Sequence, residues 1–254
     1  MRLGKFIKRV VSDELKSGRM YQIENVINKL VDELEEKWVF FGLFYNSIAT
    51  AVAMKRKKFD LDQMYEIILA VYEGFDFPKL LLLIDPTLSA RKMEMVRLAL
   101  RAGLSEEQIK FALQHEDLDE FQLRQVLLGF KQGLTEDEIS VYAKTEFDYT
   151  QMHEIRLGFV RKLDVEKIKE YANPEYTRIQ MRAIRAGYML GWEKEKSLEV
   201  INQIILLTSM GHEGYEVLLN EELLDHDEDG KFDEVFASFM LGFTEEKYQD
   251  VRAN

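Results

Sequence analysis

Two groups of residues in this chain have types and spacings that could do chemistry. The first is Asp225-His226-Asp227-Glu228-Asp229-Gly230, with Asp233 three residues further on. Asp225, Asp227, Asp229 and Asp233 fall at the first, third, fifth and ninth positions of a calcium loop, and Gly230 stands where the sharp turn belongs. Hard oxygen donors at alternate positions are what Ca²⁺ takes up. The twelfth position should hold a bidentate Glu and holds Phe236, so a solvated acidic loop is the competing reading. The second group is basic: Arg97, Arg101, Arg124, Lys131, Arg156, Arg182 and Arg185, interrupted by one acid, Glu94. In the register described below these residues share a helix face. They would either line a groove for an anionic ligand or an acidic partner protein, or bridge to acids and helix C-termini of adjoining helices.

Reactive motifs are otherwise missing. The sequence has no glycine-rich phosphate loop, no Gly-x-Ser-x-Gly elbow and no cysteine. His212-Glu213 opens like a zinc-protease motif, but Glu216 occupies the place of the second histidine. The chain therefore reads as non-enzymatic, with an enzyme whose site leaves no spacing signal kept as an alternative.

The elements that must position these residues follow from a repeat. Met64, Met93, Leu123, Met152 and Met181 stand 29 or 30 residues apart, each followed at +3 and +7 by residues such as Ile67 and Val71 or Val96 and Leu100. That is helical spacing. Four residues before the anchors come Asp60, Ser89, Asp119, Asp148 and Thr177, which can accept from the free amides of a first helical turn. Gln63, Gln122, Gln151 and Gln180 complete capping boxes, and Lys92 takes that place in the second unit. Gly74, Gly103, Gly133 and Gly191 occupy the +10 site as helix terminators, a pattern that Lys162 breaks. Asp76, Ser105, Thr135 and Asp164 then cap a second, shorter helix. Small residues at +6 (Ala70, Ala99, Gly129, Gly158, Gly187) are expected to let helix backbones approach. Helices this short need neighbours.

The predicted fold is all-α: an α-solenoid of helix-turn-helix repeats of about 29–30 residues with atypical helical caps at both ends. Residues 1–58 form an N-terminal cap, 59–192 five helical-hairpin repeats, and 193–254 degenerate repeats and a C-terminal cap with the acidic loop, in one continuous elongated domain. In that last part Ile201, Ile204, Ile205 and Gly211 suit a sixth first helix, and Phe232 to Tyr248 a seventh unit with Thr244 as its inner cap. Residues 1–58 carry a net +5 and residues 59–254 a net −17, together the −12 of the chain. An acidic array repels nucleic acid, so no direct binding to it is expected. Met1–Val11 reads as an amphipathic capping helix and Trp38–Met54 as a buried helix, with no membrane role expected. Zero cysteines fit a cytoplasmic protein.

Phe147-Asp148-Tyr149-Thr150-Gln151-Met152-His153-Glu154-Ile155-Arg156-Leu157-Gly158 and Gln180-Met181-Arg182-Ala183-Ile184-Arg185-Ala186-Gly187 resemble the Gln-Met-x-x-Ile-Arg-x-Gly repeats of uncharacterised proteins from Firmicutes and their phages or mobile elements. The resemblance covers residues 144–191 well and 59–143 loosely, and Ile68 and Leu127 replace the arginine at two sites. It implies a helical array of bacterial or phage source and carries no activity. The expected function is a protein–protein interaction module, in its sharper form an inhibitor that blocks a host defence nucleoprotein by acidic surface mimicry. A calcium-responsive module using the 225–233 loop is the alternative. No cofactor is expected beyond that Ca²⁺.

Overall fold

A computed structural model describes residues 59–211 and 233–251. Asp225, Asp227, Asp229 and the segments Met1–Val11 and Trp38–Met54 lie outside the described residues. The described chain is all-α, with eleven helices and no strand among those residues. It divides into two compact units, Met1–Gln114 and His115–Asn254.

In the first unit, α1 (Leu61–Glu73), α2 (Phe77–Leu83), α3 (Ala90–Arg101) and α4 (Glu106–Gln114) alternate long and short. α1 packs on α2 and α3, and α4 packs on α2 and α3. In the second unit the alternation continues through α5 (Glu120–Lys131), α6 (Glu136–Ser140), α7 (Tyr149–Val160), α8 (Val165–Tyr171) and α9 (Arg178–Met189). It closes with α10 (Lys194–Ser209) and α11 (Asp233–Val251). α7 lies against α5, α8 and α9, and every residue from Gln151 to Phe159 is buried. The anchors Met64, Met93, Leu123, Met152 and Met181 are all buried, as their spacing requires.

Helix starts are set by the expected side chains. The Asp119, Asp148 and Thr177 caps form full boxes with Gln122, Gln151 and Gln180, and Asp60 and Gln63 exchange the same two bonds at 2.8 Å each. Helix ends are equally regular. The amides of Phe75, Leu104, Leu134, Leu163 and Trp192 donate to the carbonyls of Ala70, Ala99, Gly129, Gly158 and Gly187, which is the long bond of a Schellman turn. Four of these turns use a left-handed glycine; the fifth uses Lys162, at φ 60°. The sequence breaks its pattern there and the backbone keeps it.

Three expectations change. The small residues at +6 make room for a side chain: a Cβ at Gly129 or Gly158 would overlap the hydroxyl of Tyr142, from the turn after α6, or of Tyr171, from the end of α8. Those hydroxyls donate to the carbonyls of Gln125 and Glu154 at 3.3 and 3.2 Å. The sixth first helix expected around Ile201, Ile204 and Ile205 is part of one longer helix, α10, which begins at Lys194 and is ended by Gly211 at φ 84°. Glu193, at its N-cap position, makes no side-chain cap bond. Thr244 is no cap either; it sits inside α11 and its hydroxyl donates to the Leu241 carbonyl at 2.7 Å.

Candidate functional site

Four of the seven basic residues are buried between helices. In the first unit Arg97, on α3, reaches α1: its Nε donates to Glu66 at 2.7 Å and its Nη1 to Glu73 at 2.6 Å. Arg101, one turn along and exposed, lies 3.4 Å from the same Glu73. In the second unit Arg156, on α7, repeats the reach toward α5, with Nε on Gln125 at 3.0 Å and Nη1 on Gln132. Arg185, on α9, repeats it toward α7, with Nη2 on Glu154 at 2.7 Å. In all three cases an arginine four residues past its anchor meets the residue two past the preceding anchor, 31 positions earlier. For Arg97 and Arg156 the second arm meets the residue nine past it, 24 positions earlier.

Arg185 departs at that second arm. Nine residues past Met152 stands Arg161, a cation with no acceptor to offer. The anion comes instead from Asp233, at the first position of α11, which takes Arg185 Nη1. The same carboxylate lies 3.3 Å from Arg161 Nε and 3.9 Å from Arg182 Nη2. Asp233 and Arg182 are each 1% exposed and Arg185 not at all. The Arg182 Cζ lies over the ring of Phe236, one turn along α11, 5.0 Å from its centre. Arg178 Nε adds a further cation 3.6 Å from Glu154 Oε1.

The two regions therefore have opposite electrostatics. Burial raises the Glu66 carboxyl above its usual range, the bond and charge of Arg97 offset only part of that, and the neighbouring charges of Glu94 and Glu73 add to it. Burial would raise Glu154 as well, but the charges of Arg185 and then Arg182 outweigh it and hold the carboxyl at about 2. His153 is neutral: burial pulls its pKa down to about 3, and the adjacent arginines add to the effect. Its Nδ1 faces Arg156 Nη2 at 3.2 Å. Because the guanidinium only donates, Nδ1 accepts and the ring proton belongs on Nε2.

The capping glutamines do a second job. While their oxygens accept from the cap amides, their Nε2 groups donate across to the loop before the next long helix: Gln63 to Leu88 O at 2.6 Å, Gln122 to Phe147 O at 2.6 Å and Gln151 to Tyr176 O at 2.7 Å. One residue thus starts its own helix and ties it to its neighbour.

Of the remaining basic row, Arg124 and Lys131 are exposed on α5. Asp233, the described member of the calcium-loop spacing, has arginines as its partners. Among the described residues no group of three or more His, Asp and Glu side chains is placed to hold a metal ion. Also among these residues, no helix is long and apolar enough to cross a membrane. Sequence reasoning missed Glu66, Glu73, Gln125, Gln132 and Glu154 as the partners. A usable signal existed: at the two places where the repeat has no arginine–acceptor pair across successive units, Met95 precedes Leu127 and Ala183 is the +2 residue of the last unit.

Comparison of the chain with protein-family models, with curated proteins and with solved structures finds no match.

Proposed function

We propose that the chain is a non-enzymatic protein–protein interaction module, an α-solenoid of helical hairpins whose acidic exterior docks a basic partner. One observation carries this reading: the charged groups with the best prospects for chemistry are spent on one another inside helix contacts. Glu66 with Arg97 and Glu154 with Arg185 hold helices together, and among the described residues the buried charged set is four arginines and three acids. Residues 59–254 carry a net −17, and the reading assigns that excess to the exterior. Glu107, Asp137 and Glu166, exposed in the first turns of short helices, and Glu195, exposed in the first turn of α10, belong to it. Acids there also suit the positive helix ends.

The resemblance to repeats of Firmicutes, phages and mobile elements supports the sharper form, a stoichiometric inhibitor that occupies the nucleic-acid channel of a host defence complex by charge mimicry. A cytoplasmic setting goes with that form. The test is affinity capture from a bacterial lysate with the full chain as bait, washed at rising salt. A nucleic-acid-handling protein retained at low salt, released at high salt and displaced by duplex DNA supports the reading. Recovery of no such protein, or retention indifferent to salt, contradicts it.

A further inference from the structure

Phe121 and Tyr149 are large aromatic side chains left open at the starts of two neighbouring long helices. Phe121 stands at the second position of α5 and Tyr149 at the first of α7, 48% and 38% exposed, with ring centres 5.3 Å apart and planes tilted by 36°. The repeat does not require them: in the first two positions α3 carries Ala90 and Arg91, and α9 carries Arg178 and Ile179. Helix starting does not require them either, because Asp119 with Gln122 and Asp148 with Gln151 already close the first turns. Gln122, whose Nε2 donates to the Phe147 carbonyl at 2.6 Å, holds the two helix starts side by side.

What an aromatic face takes up is visible elsewhere in the same unit. Lys144 lies over Phe147, Lys167 over Tyr188, Lys196 over Trp192 and Arg182 over Phe236, at 4.0 to 6.0 Å from the ring centres. Each ring attracts its cation through its electron-rich face. Around Phe121 and Tyr149 the chain adds matching charge. The stretches 115–124 and 144–150, which contain the two rings, hold six carboxylates against two side-chain cations, Arg124 and Lys144, and Lys144 is engaged with Glu146 at 3.8 Å. Asp119 and Asp148, two residues and one residue before the rings, are exposed. Their cap bonds go to Oδ1 and come from backbone amides and the Thr150 hydroxyl, all neutral donors, so each aspartate keeps its charge and its Oδ2 for another donor. Two open rings beside carboxylate oxygens suit a guanidinium better than an ammonium, since it stacks on aromatic faces and forks to oxygens in its own plane.

We propose that Phe121 and Tyr149, with Asp119 and Asp148, form a docking point for an arginine side chain of a basic partner protein. The proposal rests on the reading of the acidic exterior as the face that docks such a partner, and it names the place of the grip and the residue type gripped. A surface acting through charge alone would take lysine and arginine alike. The ring pair makes the choice between them, and it supplies the aromatic anchor that charge alone lacks.

The experiment titrates short labelled peptides, in which glycine alternates with arginine, lysine or citrulline, onto the purified full chain. The variants are F121L/Y149L, which keeps apolar bulk and removes both rings, and F121Y/Y149F, which keeps both rings. The arginine peptide is expected to bind wild type and F121Y/Y149F alike and F121L/Y149L about tenfold more weakly, the scale of two exposed cation–π contacts. On wild type it is expected to bind more tightly than the lysine peptide, and the citrulline peptide, flat but neutral, more weakly than either. D119N/D148N, which keeps both helix caps, is expected to weaken the arginine peptide more than E166Q/E195Q, which removes equal charge from other first turns. An arm that needs no variant follows the ring proton resonances of Phe121 and Tyr149 in wild type, which are expected to move as the arginine peptide is added. Equal affinity of that peptide for wild type and F121L/Y149L, no preference for arginine over lysine, equal weakening by the two charge-removing pairs, or ring resonances that stay in place overturns the docking point. A salt-sensitive lysate partner captured equally by wild type and F121L/Y149L would keep the acidic exterior and remove this docking point. Ring-dependent arginine binding with no such partner would remove the acidic-mimicry reading and keep the docking point.

Discussion

Arg97 with Glu66 in the first unit and Arg185 with Glu154 in the second are the same contact built twice, with the same side chains in the same register, and their carboxyls are pushed in opposite directions. Around Glu66 the surplus charge is negative, from Glu73 and Glu94; around Glu154 it is positive, from Arg182, Arg178 and His153's arginine-rich surroundings. The shortest bond is 2.7 Å in each, from Nε of Arg97 and from Nη2 of Arg185, whose Nε lies 3.3 Å from the same oxygen. What differs is the company, and the company decides whether the carboxylate must be charged. Gln125, which serves Arg156 at the same register position, shows that a neutral amide suffices where the surroundings do not demand an anion.

The largest expected effect follows from removing that charge. Glu154→Gln removes the carboxylate that faces Arg178 and Arg185 in a buried place, and should cost about 3–5 kcal/mol in chemical denaturation, the usual scale for breaking a buried pair. Glu66→Gln should change stability by no more than about 1 kcal/mol, because the amide oxygen still accepts from Arg97 and Glu73 still supplies the charge. Equal losses in the two variants would erase the contrast.

Packing gives the next effect. Gly158→Ala places a methyl where the Tyr171 hydroxyl lies and should cost about 1–3 kcal/mol, an overpacking penalty. Tyr171→Phe in the same chain removes the overlapping oxygen and should restore most of the loss in melting temperature. In the first unit the +6 residues are already Ala70 and Ala99, both buried, and the short helices offer Leu83 and Ala112 in the place of the tyrosines. The glycine–tyrosine match is thus a feature of α5 to α8.

The pH response should separate the two regions. The depressed Glu154 contributes stability above the unfolded carboxyl value of about 4.3, and that contribution fades as pH falls through about 2. The raised Glu66 works the other way: the folded chain binds its proton more tightly, so its contribution improves as pH falls through its folded value toward the unfolded one. Carboxyl carbon resonances read this directly. Glu66 should protonate above the ordinary glutamate range and Glu154 should remain ionised below it; coincident titrations would show that the surroundings do not act as described.

The smallest effect is a gain. Lys162 holds a left-handed backbone at φ 60° where the other turns of this type use glycine. Lys162→Gly should raise stability by about 1 kcal/mol, the strain of a side chain in that region, without moving a contact.

These comparisons also show what the residue order reveals. The caps, boxes and Schellman turns were legible because their partners lie within six residues, so a fixed spacing records them. The partners of the arginines lie 24 and 31 residues away, where only the coincidence of two positions records them, Glu66 with Arg97, Gln125 with Arg156 and Glu154 with Arg185. Asp233 was hidden more deeply, since its role depends on Arg161 replacing an acceptor and on α11 returning to α9. Its spacing from Asp225 suggested a cation, whereas its three neighbours are themselves cations. The full extent of the helix through Lys194–Ser209 was obscured because the apolar positions of a sixth first helix keep the same periodicity inside a longer one.

That the buried arginines fasten neighbouring helices as coupled pairs is tested most directly by a double-mutant cycle on Glu154 and Arg185, using E154Q, R185Q and the double variant in equilibrium unfolding. The account predicts that the two single losses together exceed the double loss by about 2 kcal/mol or more, because either single change strands a buried charge. Losses that add to within about 0.5 kcal/mol would show that the two residues act independently, and would contradict it.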